Sequence, residues 1–184
     1  MRSALPTSET TVDMSTLRAA IKQRCQDHGL CDFDTVNALV TLKRTAAEVE
    51  NMTMGYCKPV DLTPGRLNVL MVLNGAEGNS MLLSDIGDYL VVSRPNVTGL
   101  IDGLVAEGLV QRVGHPQDRR MIFAQLTERG KSFMRRFVPF HFEIVNAAMS
   151  ALNKQEKRQL VGLLDKLRLH IHRLELPQHE SASA

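Results

Sequence analysis

The N-terminal third of the chain places its apolar residues at the spacing of an α-helix. Leu17, Ile21 and Cys25 share one face of a helix predicted over residues 15–28. A longer helix is predicted over residues 34–56, and the aspartate that begins this range is its expected N-cap. The chain is therefore expected to open with a helical layer.

The C-terminal third is also helical in pattern. Thr127 is a suitable N-cap for a long helix to about Ala151, and Pro139 is expected to interrupt it because proline cannot donate the helical hydrogen bond. Asn153 caps a final helix with an aliphatic stripe along one face. The stripe consists of Leu160, Leu163, Leu164, Leu167 and Ile171.

Shorter helices are predicted between these two segments. Thr63 caps a helix that starts at Pro64 and ends at Gly75, and proline is well tolerated at a first helical position. Two short helices follow over residues 84–90 and 93–107, joined by a tight turn. This is the arrangement of a helix-turn-helix, whose second helix lies in the major groove of DNA.

Two alternating apolar runs, residues 109–113 and 121–126, flank the sequence GHPQDRR. Its glycine and proline favour a turn, so the segment is predicted as a β-hairpin with a long basic tip. A helix-turn-helix followed by such a hairpin is a winged helix-turn-helix. The predicted fold class is mainly α with a small β-hairpin wing.

The second short helix, SRPNVTGLIDGL, carries the expected DNA contacts. Ser93 is a good N-cap, and Pro95 lies in the first turn, where no helical hydrogen bond is lost. Gly99 and Gly103 are predicted on the outward face, where small residues would let the backbone approach DNA closely. The residues predicted to reach bases and phosphates are Ser93, Arg94, Pro95, Asn96, Thr98 and Gly99.

The charge is distributed unevenly although the net charge is only +2. Residues 112–136 contain seven Lys or Arg against two acidic residues, whereas residues 1–111 contain nine against thirteen. A local basic segment is the pattern of a phosphate-binding face. An ordinary solvated surface is the alternative for a charge cluster taken alone.

Taken together, these motifs resemble the MarR family of winged-helix transcriptional regulators. The resemblance runs over about residues 34–173 and is strongest from LTPGRLNVLMVL to LTERG. The family's wing signature matches Asp118, Arg120, Leu126 and Thr127. Glycines at positions 99 and 103 depart from the family, because many members have a basic residue there.

The resemblance implies a homodimer on a pseudo-palindromic DNA operator, acting as a repressor. It places a dimerisation region in residues 13–60 and 127–176 and the DNA-binding head in residues 61–126. Residues 1–12 and 177–184 are predicted from the sequence itself to be disordered tails. By similarity, Arg120 enters the minor groove and Asp118 orients it, and Arg119 adds to the basic wing.

The resemblance also implies release from DNA by a small aromatic or phenolic acid, or its thioester. The matching positions for binding it are Arg44, Arg66, Met71, Phe137 and His141. Arg44 would pair with a carboxylate. Its alternatives are an intersubunit ion pair or a solvated charge, and an ordinary helical histidine is the alternative for His141.

Other functions have weaker support in the sequence. Some family members sense oxidants through a cysteine near the first dimer helix, and Cys25 and Cys31 lie in that region. A helical interaction protein that does not bind DNA is a further alternative, which the basic wing disfavours. No catalytic motif, cofactor site or metal-ligand spacing is present. The odd number of cysteines and the absence of a signal-peptide pattern favour a reducing cytoplasm.

Overall fold

The computed structural model describes residues 14–29, 32–115, 118 and 121–175, so both predicted tails lie outside the described residues. Those residues form seven α-helices and one three-stranded sheet. The helices are α1 (Met14–His28), α2 (Phe33–Cys57), α3 (Pro64–Gly75), α4 (Leu83–Leu90), α5 (Arg94–Ala106), α6 (Glu128–Ala148) and α7 (Lys154–Ile171). The strands are β1 (Ser80–Leu82), β2 (Val110–Gly114) and β3 (Ile122–Leu126).

Side-chain caps fix the starts of the long helices. The Thr63 hydroxyl accepts a hydrogen bond from the backbone N–H of Arg66, as predicted. Asn153 caps α7 in a capping box with Glu156. The expected cap of α2 at Asp34 is wrong by two residues, because the carboxylate of Asp32 accepts from the Thr35 N–H instead.

The predicted interruption at Pro139 is also wrong, because α6 runs without a break from Glu128 to Ala148. Pro139 is exposed, so the carbonyl that loses its helical partner is close to solvent. A proline removes one hydrogen bond from the helix, yet the helix continues through it here. Helix α6 is therefore one rod that connects the head to α7.

The sheet is antiparallel, in the order β1-β3-β2. The predicted hairpin pairs Val110 with Leu126 at its base and Gly114 with Ile122 near its tip. Strand β1 is not indicated by the sequence pattern. It has only three residues, leads directly into α4, and pairs with β3 from Ser80 opposite Gln125. The wing is thus fixed to the start of the helix-turn-helix.

The core lies in the head and is almost entirely aliphatic. Helix α3 passes through its centre, and α5, α6 and the sheet pack around it. A close approach joins α6 to the head, because a Cβ on Gly130 would overlap the carbonyl oxygen of Leu109. The largest fully buried side chains include Leu67, Leu70, Leu73, Ile86, Ile101, Leu104, Leu126 and Met134.

Helices α2 and α7 form the outer layer and leave apolar side chains exposed. They flank a gap of about 1030 Å³. The predicted stripe on α7 faces this gap, and Leu39 and Val49 of α2 line it from the other side. Every side chain in the stripe is more than a third exposed in the single chain.

Candidate nucleic-acid interface

Helix α5 is the recognition helix of the helix-turn-helix. Its inner face is buried through Val97, Ile101 and Leu104. Ser93 is the N-cap by backbone geometry, but its side chain makes no capping hydrogen bond, so its hydroxyl is available to a partner. The predicted contact residues Ser93, Arg94, Pro95, Asn96, Thr98 and Gly99 are all exposed.

The first turn of α5 borders a concave surface. A cleft of about 290 Å³ lies between the start of α4, the start of α5 and the tip end of β3 in the wing. Arg94 and Thr98 line it from α5, and Ser84 lines it from α4. Helix N-termini with a nearby arginine suit phosphate, because free N–H groups and positive charge point the same way. This surface can therefore accept a DNA backbone beside the major groove.

The wing tip is only partly described. The N–H of His115 donates to the Met121 carbonyl at 2.9 Å, and the Met121 N–H donates to the Asp118 carbonyl at 3.0 Å. These bonds bring Asp118 to the tip, as expected. Arg119 and Arg120 lie outside the described residues, so the predicted pairing of Arg120 with Asp118 stays a prediction.

An ion pair that the sequence did not indicate joins the wing to the recognition helix. The guanidinium of Arg112 on β2 lies 2.5 Å from the carboxylate of Asp102 on α5. Both side chains are well exposed, so the contribution of the pair to stability is small. The pair nevertheless connects β2 of the wing to α5, the two elements that carry the predicted DNA contacts.

The two glycines of α5 have different surroundings. A Cβ on Gly99 would meet nothing within 4 Å, which agrees with the predicted outward position. A Cβ on Gly103 would overlap the guanidinium of Arg66, which lies over the helix at this point. The prediction that Gly103 faces outward is therefore wrong. Its small size makes room for a side chain from α3.

The five residues predicted to bind an effector have different surroundings. Arg66 forms an ion pair with Glu107 at 2.5 Å, and Met71 packs against the head core. Arg44 is half-buried on α2, and its Nε is buried without a hydrogen-bond partner among the described residues. Phe137 is buried in α6, next to His141 on the same helix.

Aromatic residues cluster where α2 meets α6. The hydroxyl of Tyr56 lies 2.9 Å from Nδ1 of His141, and its ring lies against Phe137 and Phe140. Phe133 stacks on Phe137 with ring centroids 5.2 Å apart. Desolvation by burial lowers the pKa of His141 and raises the pKa of Tyr56. Both shifts favour the neutral forms of the two side chains.

The predicted redox residues are only partly described. Cys25 is buried on α1, which does not favour the exposed thiolate that an oxidant sensor needs. Cys31 lies outside the described residues. Cys57, at the end of α2, is fully buried, and desolvation raises the pKa of its thiol. The two described thiols are therefore shielded from solvent in the single chain.

The described part of the chain contains no cluster of three or more His, Cys, Asp or Glu side chains placed to hold a metal ion. In the same residues, no helix combines the length and the hydropathy required to cross a bilayer.

Comparison with known proteins gives consistent matches. The sequence model of the MarR family matches residues 60–121. The HTH-type transcriptional regulator MhqR of Bacillus subtilis is 30% identical over 136 residues, which are 74% of this chain and 92% of MhqR. The HTH-type transcriptional repressor YetL of the same organism is 26% identical over 147 residues, or 80% of this chain and 88% of YetL.

Solved structures agree with these matches. AbsC of Streptomyces coelicolor, a MarR family transcriptional regulator, superposes with a TM-score of 0.72 at 25% identity, over 79% of this chain and 98% of AbsC. BpsR of Bordetella bronchiseptica, whose DNA binding is regulated by 6-hydroxynicotinic acid, has a TM-score of 0.61 at 26% identity, over 71% and 98%. The winged head, the exposed recognition helix and these matches lead to one conclusion: the chain belongs to the MarR family of DNA-binding transcriptional regulators.

Proposed function

We propose that this regulator is a repressor that binds a pseudo-palindromic DNA operator as a homodimer and leaves it when an aromatic acid binds. The observation that carries the proposal is the exposed first turn of α5 beside the cleft lined by Ser84 and Arg94. The residues proposed to read DNA are Ser93, Arg94, Pro95, Asn96, Thr98 and Gly99 on α5 and Asp118, Arg119 and Arg120 on the wing.

Selection from a random duplex pool followed by fluorescence anisotropy tests the DNA contacts. Arg94→Ala and Arg120→Ala should each weaken binding to the selected duplex by about 1–3 kcal/mol, the range for a specific groove contact. Arg18→Ala, an exposed arginine on α1, is the control and should bind like the parent. Unchanged affinity in both test variants at matched salt would contradict the proposed DNA interface on α5 and the wing.

The proposed homodimer is supported by the apolar gap between α2 and α7. Exposed apolar surface of this extent is unusual on a monomer and favours association. A second copy placing the same helices against this gap would cover it in a two-fold symmetric contact. In such a dimer, the distance between the two heads must match the distance between the two half-sites of the operator.

Light scattering at micromolar concentration tests the dimer with a matched pair of variants. Leu163→Glu places a charge in the gap and should give a monomer or an unfolded chain, because a buried unpaired charge is costly. Val161→Glu lies on the same helix, similarly exposed but outside the gap, and should remain a dimer. A folded monomer for the parent protein would contradict the proposal directly.

A cleft beside the aromatic cluster is the proposed site for the effector. It has a volume of about 360 Å³ and is lined by Val60, Phe133, Arg136, Phe137 and Phe140. This volume suits a single-ring ligand, and one arginine on an otherwise apolar wall suits a ring with a carboxylate. The regulation of BpsR by 6-hydroxynicotinic acid supports this ligand class.

Calorimetry with 6-hydroxynicotinate and benzoate tests the site. Arg136→Gln should weaken binding, and Arg135→Gln should not, because Arg135 is the neighbouring exposed arginine that does not line the cleft. If neither acid binds the parent protein, the proposed effector class is wrong. If both variants bind equally well, the acid binds elsewhere, and Arg44 becomes the next residue to substitute.

A further inference from the structure

We propose that Arg66 is a positioning residue for DNA recognition: its guanidinium fills the space that Gly103 leaves open and holds the C-terminal end of the recognition helix against α3. The inference uses the DNA-binding function of the family and is independent of the proposed dimer and effector. It gives Arg66 a role other than the effector contact expected from the sequence.

The contact between α3 and α5 is unusually close. Nη1 of Arg66 lies 2.5 Å from Oε1 of Glu107, and the two side chains are 30% and 27% exposed. The guanidinium crosses α5 at Gly103, where any side chain would overlap it. Partial burial of a charge-assisted hydrogen bond makes it more geometrically restrictive than a surface ion pair.

A second small residue extends this contact along the helix. A Cβ on Gly65 would lie 3.0 Å from a methyl carbon of Leu100. Leu100, Gly103 and Glu107 are spaced three and four residues apart, so they lie on one face of α5. The first turn of α3 therefore follows nearly two turns of the recognition helix, and Arg66 contributes its only charged link to that face among the described residues.

The position of this contact matters for DNA because it is at the far end of the helix from the first turn. Arg94 and Glu107 are separated by about 20 Å along the axis at 1.5 Å per residue. A tilt of about 5° at the C-terminal end would move the first turn by nearly 2 Å, whereas a hydrogen bond tolerates only a few tenths of an ångström. On the other side, Asp102 and Arg112 hold α5 to the wing.

The same link connects the recognition helix to the outer layer. Six residues, which include the short 3-10 helix Lys58–Val60, connect the end of α2 to Pro64 at the start of α3, and Arg66 belongs to the first turn of α3. A shift of the C-terminal end of α2 would therefore reach α5 through Arg66. Arg66 can act on DNA binding in one of two ways: by connecting two helices, or only by neutralising Glu107 near DNA.

Two single variants with opposite changes in charge separate these ideas. Arg66→Gln removes a positive charge, and Glu107→Gln removes a negative one, but both remove the ion pair between α3 and α5. The specificity ratio is the affinity for a duplex selected from a random pool divided by the affinity for a scrambled duplex. Each variant should lower this ratio by about three- to tenfold. If the two variants change the specificity ratio in opposite directions, charge near DNA explains the effect and the positioning role is wrong. If neither variant changes the ratio, the positioning role is also wrong.

A double variant tests the connection itself. In Arg66→Ala/Gly103→Arg, an arginine on α5 lies four residues before Glu107 and can neutralise it within one helix. The link to α3 is absent, so the specificity ratio should remain low, whereas Arg66→Lys should restore part of it. Circular dichroism and the midpoint of unfolding identify variants that fail to fold. Recovery of specificity in the double variant would overturn the proposal.

Discussion

Alanine substitution should change the free energy of unfolding differently at the two glycines of α5. A glycine inside a helix costs about 0.5–1 kcal/mol relative to alanine. Gly99 is in open space, so Gly99→Ala should raise the free energy of unfolding by about that amount. Gly103→Ala should gain the same free energy from helix propensity. This gain should be offset, because the new methyl group displaces the Arg66 guanidinium.

The loss at Gly103 can be estimated from the ion pair. A partly buried pair between Arg66 and Glu107 contributes on the order of 1 kcal/mol. Gly103→Ala should therefore leave stability unchanged or lower it slightly, about 1 kcal/mol below Gly99→Ala. In an Arg66→Ala background nothing is displaced, and Gly103→Ala should then stabilise the protein as much as Gly99→Ala does.

Urea unfolding at one fixed protein concentration measures these differences, since association would otherwise shift the midpoints. The four-variant cycle isolates the coupling between positions 66 and 103. Equal stabilisation by Gly99→Ala and Gly103→Ala in the parent background would mean that Arg66 does not lie over Gly103. The close packing of α3 on α5 would then be wrong.

Three further predictions concern other parts of the head. Gly130→Ala should cost about 1–3 kcal/mol in urea unfolding because its methyl group meets the Leu109 carbonyl, whereas Gly75→Ala, in open space, should not. Val91→Gly should raise the unfolding free energy by up to about 1 kcal/mol. Val91 is exposed with a φ of 55°, and a β-branched residue is strained in this conformation, so a lower stability of the variant would contradict the prediction. Burial lowers the pKa of His141, so the folded state binds its proton less readily than the unfolded state; stability should fall as the pH drops through 6.5, and His141→Gln should flatten that slope.

Much of the fold could be predicted because local chemistry determines it. Thr63, Thr127 and Asn153 each cap the helix expected from the sequence, since a side-chain oxygen next to free N–H groups is a short-range signal. The wing hairpin pairs in the expected region because alternating apolar runs around a turn with Gly and Pro are also a short-range signal. Where two aspartates compete, as at Asp32 and Asp34, the pattern cannot distinguish them because both have the same chemistry.

The features that the sequence did not reveal depend on contacts between distant residues. Arg66 and Glu107 are 41 residues apart, and nothing in the helical period of either segment indicates that they meet. Strand β1 is too short for an alternating pattern and exists because β3 offers it an edge. The local chemistry of Pro139 predicts a break in α6, but the helix continues through it, and His141 in the next turn contacts Tyr56, which is distant in sequence.

Gly99→Arg determines whether the outward face of α5 lies against DNA. A basic side chain there should contact a phosphate and steepen the dependence of log K on log salt by about 0.9 for each additional phosphate that is neutralised. Gly75→Arg adds the same charge in open space at the end of α3 and should leave the slope unchanged. An unchanged slope for Gly99→Arg in a folded protein would mean that this face of α5 does not lie against DNA.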